Sequence, residues 1–97
     1  MFAMIRGIID PETQLIWRGQ RSRKLPSDIQ EIARRKLRML NRAKVPADLR
    51  APPGNRFEEL KRNRKGTYSI RINRQWRICF TWADGDAENV RIEDYHD

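Results

Sequence analysis

Between Tyr68 and Trp82 the apolar side chains occupy every second position. Tyr68, Ile70 and Ile72 alternate with Ser69, Arg71 and Asn73, and then Trp76, Ile78, Phe80 and Trp82 alternate with Arg77, Cys79 and Thr81. A period of two belongs to a β-strand with one buried face, so the stretch reads as two half-buried strands of an antiparallel sheet. Parity also sets the register, because a slip of one residue would turn every apolar side chain out of the core. Pairing Ile70 with Ile78 and Ile72 with Trp76 keeps the apolar set together, and it places Arg71 opposite Arg77 on the other face. A third run, Val90-Arg91-Ile92, follows the turn signal Asp84-Gly85-Asp86. The same logic pairs Phe80 with Val90 and Ile78 with Ile92, and it sets Glu93 opposite Arg77 with Tyr95 on that same face. Asp94 would point the other way in a continued strand, but the regular pleat is expected to fail so close to the C-terminus.

A sheet with one apolar face needs a cover, and the segment from Ser27 to about Asn41 supplies one. Ile29, Ile32, Ala33, Leu37 and Leu40 recur at spacings of three and four, a single stripe along a helix, with Arg34, Arg35 and Arg38 facing elsewhere. Ser27 after Pro26, with Gln30 three residues on, predicts a capping box. Upstream, 4–10 reads as a short strand ended by Pro11, and Glu12 to Gly19 as a short helix with Leu15 and Ile16 inward. The basic run 18–24 carries no apolar side chain and is expected as a solvated loop or helix end. Residues 44–56 hold three of the five prolines and form a turn-rich connection, followed at 57–61 by a short strand or turn. The chain has 97 residues and no Gly/Pro-rich linker, which predicts one α+β domain over 1–97.

Charge narrows the function. Residues 1–83 hold twenty basic and seven acidic groups, and residues 84–97 hold one basic and six acidic, so a basic body of +13 ends in a tail of −5. An excess of +8 favours nucleic acid or an acidic partner. A single cysteine cannot form an internal disulfide, and no apolar run approaches the ~18–20 residues of a membrane span. A soluble cytoplasmic protein without membrane association is expected. The scattered glycines form no phosphate-binding loop, one His with one Cys cannot build a zinc site, and the carboxylates lack calcium-loop spacing, so metal-free, cofactor-free chemistry is expected.

Two arginines directly opposed in a sheet repel each other, and an anionic ligand would relieve that repulsion. Lys61, Arg62, Arg64, Lys65 and Arg74 add cations, and Asp94-Tyr95-His96 adds groups able to move a proton. A phosphodiester suits this set, since guanidinium groups grip its oxygens in pairs. Each piece also has a plainer reading. Arg71 and Arg77 could be ordinary exposed strand residues, His96 a frayed terminal residue, Tyr95 a cap on the core and Asp94 a solvated acid or an internal partner for an arginine. Cys79, with no histidine beside it in sequence, reads as packing.

Pro52-Pro53-Gly54-Asn55-Arg56, Leu60-Lys61, the run from Tyr68 to Phe80 and the closing Glu93-Asp94-Tyr95-His96 resemble the HigB-type toxins of the RelE superfamily. Leu25-Pro26-Ser27-Asp28-Ile29-Gln30 and the Asp-Gly hairpin extend the resemblance over nearly the whole chain. It implies a RelE-like fold of two N-terminal helices packed on a small, mainly antiparallel sheet. It further implies the toxin of a type II toxin–antitoxin pair, an endoribonuclease (mRNA interferase) that cuts mRNA on the ribosome. The implied partners are a cognate helix-turn-helix antitoxin and, through it, a toxin–antitoxin hetero-oligomer on operator DNA. Arg77 matches an arginine that holds the scissile phosphate, Asp94, Tyr95 and His96 match the catalytic cluster, and Lys61 matches a basic residue near the RNA. Arg64, Arg71 and Arg74 join Lys61 as RNA-binding candidates. Glu58 stands where some members carry a histidine, and Asn73 where they carry an arginine. The competing reading is a non-catalytic basic RNA- or protein-binding module of the same fold.

Overall fold

The structure, a computed structural model, describes residues 5–61 and 64–95. Its elements in chain order are α1 (Pro11–Trp17), α2 (Ser27–Arg42), two short 3-10 turns (Pro46–Arg50 and Pro53–Asn55), β1 (Glu58–Glu59), β2 (Thr67–Arg71), β3 (Trp76–Ala83) and β4 (Asp86–Asp94). The four strands form one antiparallel sheet in the order β1-β2-β3-β4, and the helices cover its apolar face. No helix among the described residues is long and apolar enough to cross a membrane.

Helix α1 starts one residue earlier than expected, because Pro11 opens it at a position where a missing N–H costs nothing. The Asp10 carboxylate caps it, accepting from the amides of Glu12 and Thr13. Ile16 is buried as expected, but Leu15 is only half-buried and Thr13 takes the other inward place. The Thr13 hydroxyl donates to Asp10 and accepts from the Ile92 amide, which ties α1 to β4.

Helix α2 buries Ile29, Ala33, Leu37 and Leu40 against Ile70, Ile78, Phe80 and Val90, and Ile32 is partly buried beside them. The predicted capping box does not form. Pro26 is the N-cap and no side chain caps the helix. The Gln30 amide instead donates to the carbonyls of Ser22 and Leu25 and accepts from the Ser22 amide. Three bonds to loop backbone outweigh one to the helix start, and they hold a loop that is not wholly solvated, since Ser22 is buried.

The first hairpin has the register read from parity, with Ile70 opposite Ile78 and Arg71 opposite Arg77. In the second, Ile78 faces Ile92 and Arg77 faces Glu93, but the simple Phe80–Val90 pairing gives way to a bulge. Cys79 faces Arg91 and Thr81 faces Glu88, so Asn89 and Val90 together oppose Phe80, with Asn89 at φ 54°. The extra residue lets Ala87 and Val90, three positions apart, both reach the core. The upstream segment is less than a full strand: Ile5 and Ile8 form isolated parallel bridges to Ala87 and Val90 at the same spacing of three. At the far end the pleat does not fail, and β4 stays paired through Asp94, opposite Trp76.

Candidate active site

The second face of the sheet, expected to be solvated, is largely closed. Ser69 and Cys79 are fully buried and Arg77 is 7% exposed. Arg77 projects from β3 toward the connection before β1. Its Nε donates to Ser69 Oγ at 2.8 Å and its Nη2 to the Arg56 carbonyl at 2.5 Å. The Glu58 carboxylate lies 4.0 Å from the same Nη2. Arg56 follows the second 3-10 turn in the left-handed region (φ 44°, ψ 52°), where few non-glycine residues sit. That conformation aims its carbonyl at Arg77.

Around Arg77 lies a concavity of about 200 Å³ lined by Arg56, Arg71, Asn73, Arg74, Arg77 and Tyr95. The hairpin loop shapes one rim. Asn73 Oδ1 accepts from the amides of Gln75 and Trp76, and the resulting tight turn presents Arg74. Tyr95 closes another side: its amide donates to the Gln75 carbonyl at 2.6 Å, and its ring lies 5.5 Å from the Arg77 guanidinium carbon. A cation over an aromatic face is attracted to it, which restrains the guanidinium from above while Ser69 and Arg56 hold it from the side. Four arginines and no carboxylate line the pocket among the described residues, so it suits a small, multiply charged anion such as a phosphodiester.

The other candidates fall in different places. Arg64 forms a fork to Glu93 at 3.1 and 2.6 Å, and Arg91 Nε reaches the same carboxylate at 2.7 Å. Burial pushes Glu93 up, but the hydrogen bonds from Arg64 and Arg91 outweigh it and hold its carboxyl below the usual range. Arg64 is raised in turn by its bond to Glu93. The acidic tail therefore neutralises Arg64 and Arg91 and leaves Arg77 to other acceptors. Asp94 is exposed on the opposite side of its strand, where it accepts from Gln75 Nε2, and is not among the pocket-lining residues. Lys61 is exposed and is likewise not among them. His96 lies outside the described residues. Cys79 is buried, and desolvation, then the nearby Glu93 carboxylate, pushes its thiol up to about 11, in keeping with a packing role.

Sequence reasoning passed over Arg56, Ser69 and Asn73 as site residues. Parity does place Ser69 on the face of Arg77, two residues before Arg71, and the Pro-Pro-Gly-Asn-Arg run marks a sharp turn. What parity could not supply is that the turn folds back onto the sheet.

Comparison with known proteins bears on the family of the chain. A model of the HigB-like toxin family, described as the RelE-like toxin of the type II toxin–antitoxin system HigB, matches residues 13–96. Toxin HigB-1 of Vibrio cholerae serotype O1 is 49% identical over 74 residues, 76% of this chain and 78% of that protein. An uncharacterized protein of Haemophilus influenzae is 32% identical over 75 residues, 77% of this chain and 74% of that one. Endoribonuclease HigB of Proteus vulgaris is 42% identical over 41 residues, which cover 42% of this chain and 45% of that protein.

Proposed function

The chain belongs to the HigB-like family of RelE-like toxins from type II toxin–antitoxin systems, and from that premise we propose that it is a metal-independent endoribonuclease that cuts mRNA on the ribosome in the cytoplasm. A type II toxin has a protein antitoxin as its partner. Here we assign that partner a helix-turn-helix domain that seats the pair on operator DNA. The observation that carries the enzymatic reading is the pocket of four arginines and a tyrosine around the buried, doubly anchored Arg77.

RNA brings its own nucleophile. The ribose 2′-hydroxyl attacks the adjacent phosphorus, the bond to the leaving 5′-oxygen breaks, and the protein need supply only orientation, charge stabilisation and proton transfer. In this reading Arg77 faces the scissile phosphate and stabilises the extra negative charge of the phosphorane. Its side chain is already oriented by Ser69, Arg56 and the Tyr95 ring, so no rearrangement is needed as that charge develops. Arg71, Arg74 and Lys61 hold flanking phosphates. Arg64, paired with Glu93, braces the face that carries Arg77 and does not itself grip phosphate. His96, one residue beyond Tyr95, transfers the proton, assisted by Tyr95 or Asp94.

The products follow from the chemistry. Cleavage leaves a 2′,3′-cyclic phosphate or its hydrolysis product on one fragment and a 5′-hydroxyl on the other. Sequencing RNA ends from cells expressing the protein tests this, and fragments ending in a 3′-hydroxyl would contradict it. Cleavage of mRNA only when translating ribosomes are added tests the ribosome requirement. Toxicity that survives His96→Ala unchanged would remove His96 from the proton-transfer role.

A further inference from the structure

Helix α2 and Arg77 lie on opposite sides of the sheet, yet a continuous polar chain joins them around its β1 edge. Lys36 projects from the flank of α2 and its Nζ donates to Asn55 Oδ1 at 2.5 Å. Asn55 is fully buried in the second 3-10 turn. Its Nδ2 donates to the carbonyls of Leu49 and Ala51 at 3.1 and 3.3 Å and lies 3.8 Å from Met39 Sδ. One carboxamide thus pins both 3-10 turns to the helix. The next residue is Arg56, whose left-handed backbone costs energy for any residue with a Cβ and persists only where its surroundings hold it. Arg56 contributes twice to the pocket: it is one of the lining residues, and its carbonyl anchors Arg77 Nη2.

We propose that Lys36 and Asn55 are positioning residues for Arg77, acting through the backbone of Arg56. The inference rests on the endoribonuclease reading and adds the device that orients its central arginine. Lys36 and Asn55 do not line the pocket, so their effect is indirect. Removing the lysine leaves Asn55 Oδ1 buried without its donor; removing the asparagine frees the Leu49 and Ala51 carbonyls and the Lys36 ammonium together. Either change loosens the turn that presents the Arg56 carbonyl, and Arg77 loses one of its two short hydrogen bonds. Lys36 also sits close enough to Arg71 for their charges to interact, which, after burial and the charge of Arg35, holds its ammonium below the usual lysine range.

The test compares Lys36→Met, Asn55→Ala and Lys36→Arg in the full chain. Displacing a reacting group by about 1 Å can cost roughly 100-fold in rate, so Lys36→Met and Asn55→Ala should lower kcat for RNA cleavage by about ten- to a hundredfold. KM should stay within about threefold of wild type, because Arg71 and Arg74 are not held by this turn. Lys36→Arg retains a donor and should recover most of the loss. Ile32→Ala, partly buried on the same helix without a polar link to the turn, controls for lost stability. A second readout does not depend on catalysis: hydrogen exchange of the Arg77 Nε–H, followed by NMR, should accelerate in Lys36→Met and Asn55→Ala and stay slow in Ile32→Ala. Wild-type kcat and wild-type exchange in both variants would overturn the proposal. So would a kcat loss no greater than that of Ile32→Ala at equal melting temperature. If the wild-type protein cuts no RNA, the enzymatic reading fails while the exchange measurement still decides whether Lys36 and Asn55 orient Arg77. Should Asn55→Ala not fold, the half-exposed Lys36→Met carries the same comparison.

Discussion

Replacing Arg77 with alanine should damage the protein in two separable ways. The structural cost follows from its partners. Arg77 is 7% exposed and gives hydrogen bonds to Ser69 Oγ and the Arg56 carbonyl. Bonds from a charged donor contribute about 1.5–3 kcal/mol each, but the variant also escapes the desolvation of a buried guanidinium. A net loss of roughly 2–3 kcal/mol is expected. For a domain of this length each kcal/mol shifts the melting temperature by about 4–8 °C, so Arg77→Ala should melt about 10–20 °C lower and still be folded at 25 °C. The catalytic cost is larger, because removing one pre-oriented donor to a developing oxyanion lowers kcat about 100- to 1,000-fold. Arg77→Lys keeps the charge without the planar fork, cannot reproduce both anchoring bonds, and should lose most of the activity as well. Circular dichroism melts measure the first effect, and single-turnover cleavage of mRNA on translating ribosomes measures the second. A melting temperature within about 3 °C of wild type would refute the bonding argument, and cleavage within tenfold of wild type would refute the site.

The remaining predictions concern the support around the pocket. Arg64 and Arg91 hold the Glu93 carboxyl below its usual range, so its contribution to stability is complete above the unfolded-state value near 4.5 and is lost as the pH falls through the lower folded-state value. Urea titrations of wild type and Glu93→Gln should show the variant less stable by about 2 kcal/mol at pH 7, with the gap closing in acid; a gap independent of pH would disprove the pairing. Cys79, buried and pushed up to about 11, should resist iodoacetamide in the native protein at pH 8 and react fully in denaturant, and rapid native labelling would show the second face to be open. At the β4 bulge Asn89 occupies φ 54°, so Asn89→Val should cost about 1–2 kcal/mol in thermal unfolding while Asn89→Gly stays close to neutral; equal stability of the two would argue against the bulge.

Parity made the sheet legible, since a one-residue slip would turn Ile70, Ile72, Ile78 and Ile92 out of the core, and the same parity brings Arg71, Arg77 and Glu93 to one face. Where several donors competed for one acceptor, the sequence could not choose. Gln30 has the spacing for a capping box but closes the loop just before the helix, where the Ser22 amide and the Ser22 and Leu25 carbonyls take its carboxamide. Glu93 faces Arg77 across the strands, as expected, yet bonds Arg64 and Arg91, whose guanidinium groups reach it with better geometry. Asn89 tolerates a left-handed backbone, and a signal for the bulge was present there, but only the matching spacing of Ile5 and Ile8 against Ala87 and Val90 called for it.

By itself the sequence determined which residues alternate, which stripe covers them and where positive charge accumulates, all of which follow from local periodicity and composition. Only the tertiary structure decided that the basic face is not an open surface. The Pro-Pro-Gly-Asn-Arg turn folds around the sheet edge, pinned by Asn55 to Lys36, and lays the Arg56 carbonyl against Arg77. That contact joins residues 21 apart in the chain, and its existence depends on a left-handed backbone and a buried carboxamide that no local pattern specifies. Periodicity reports which way a side chain points; the acceptor it meets is set by where distant backbone comes to rest.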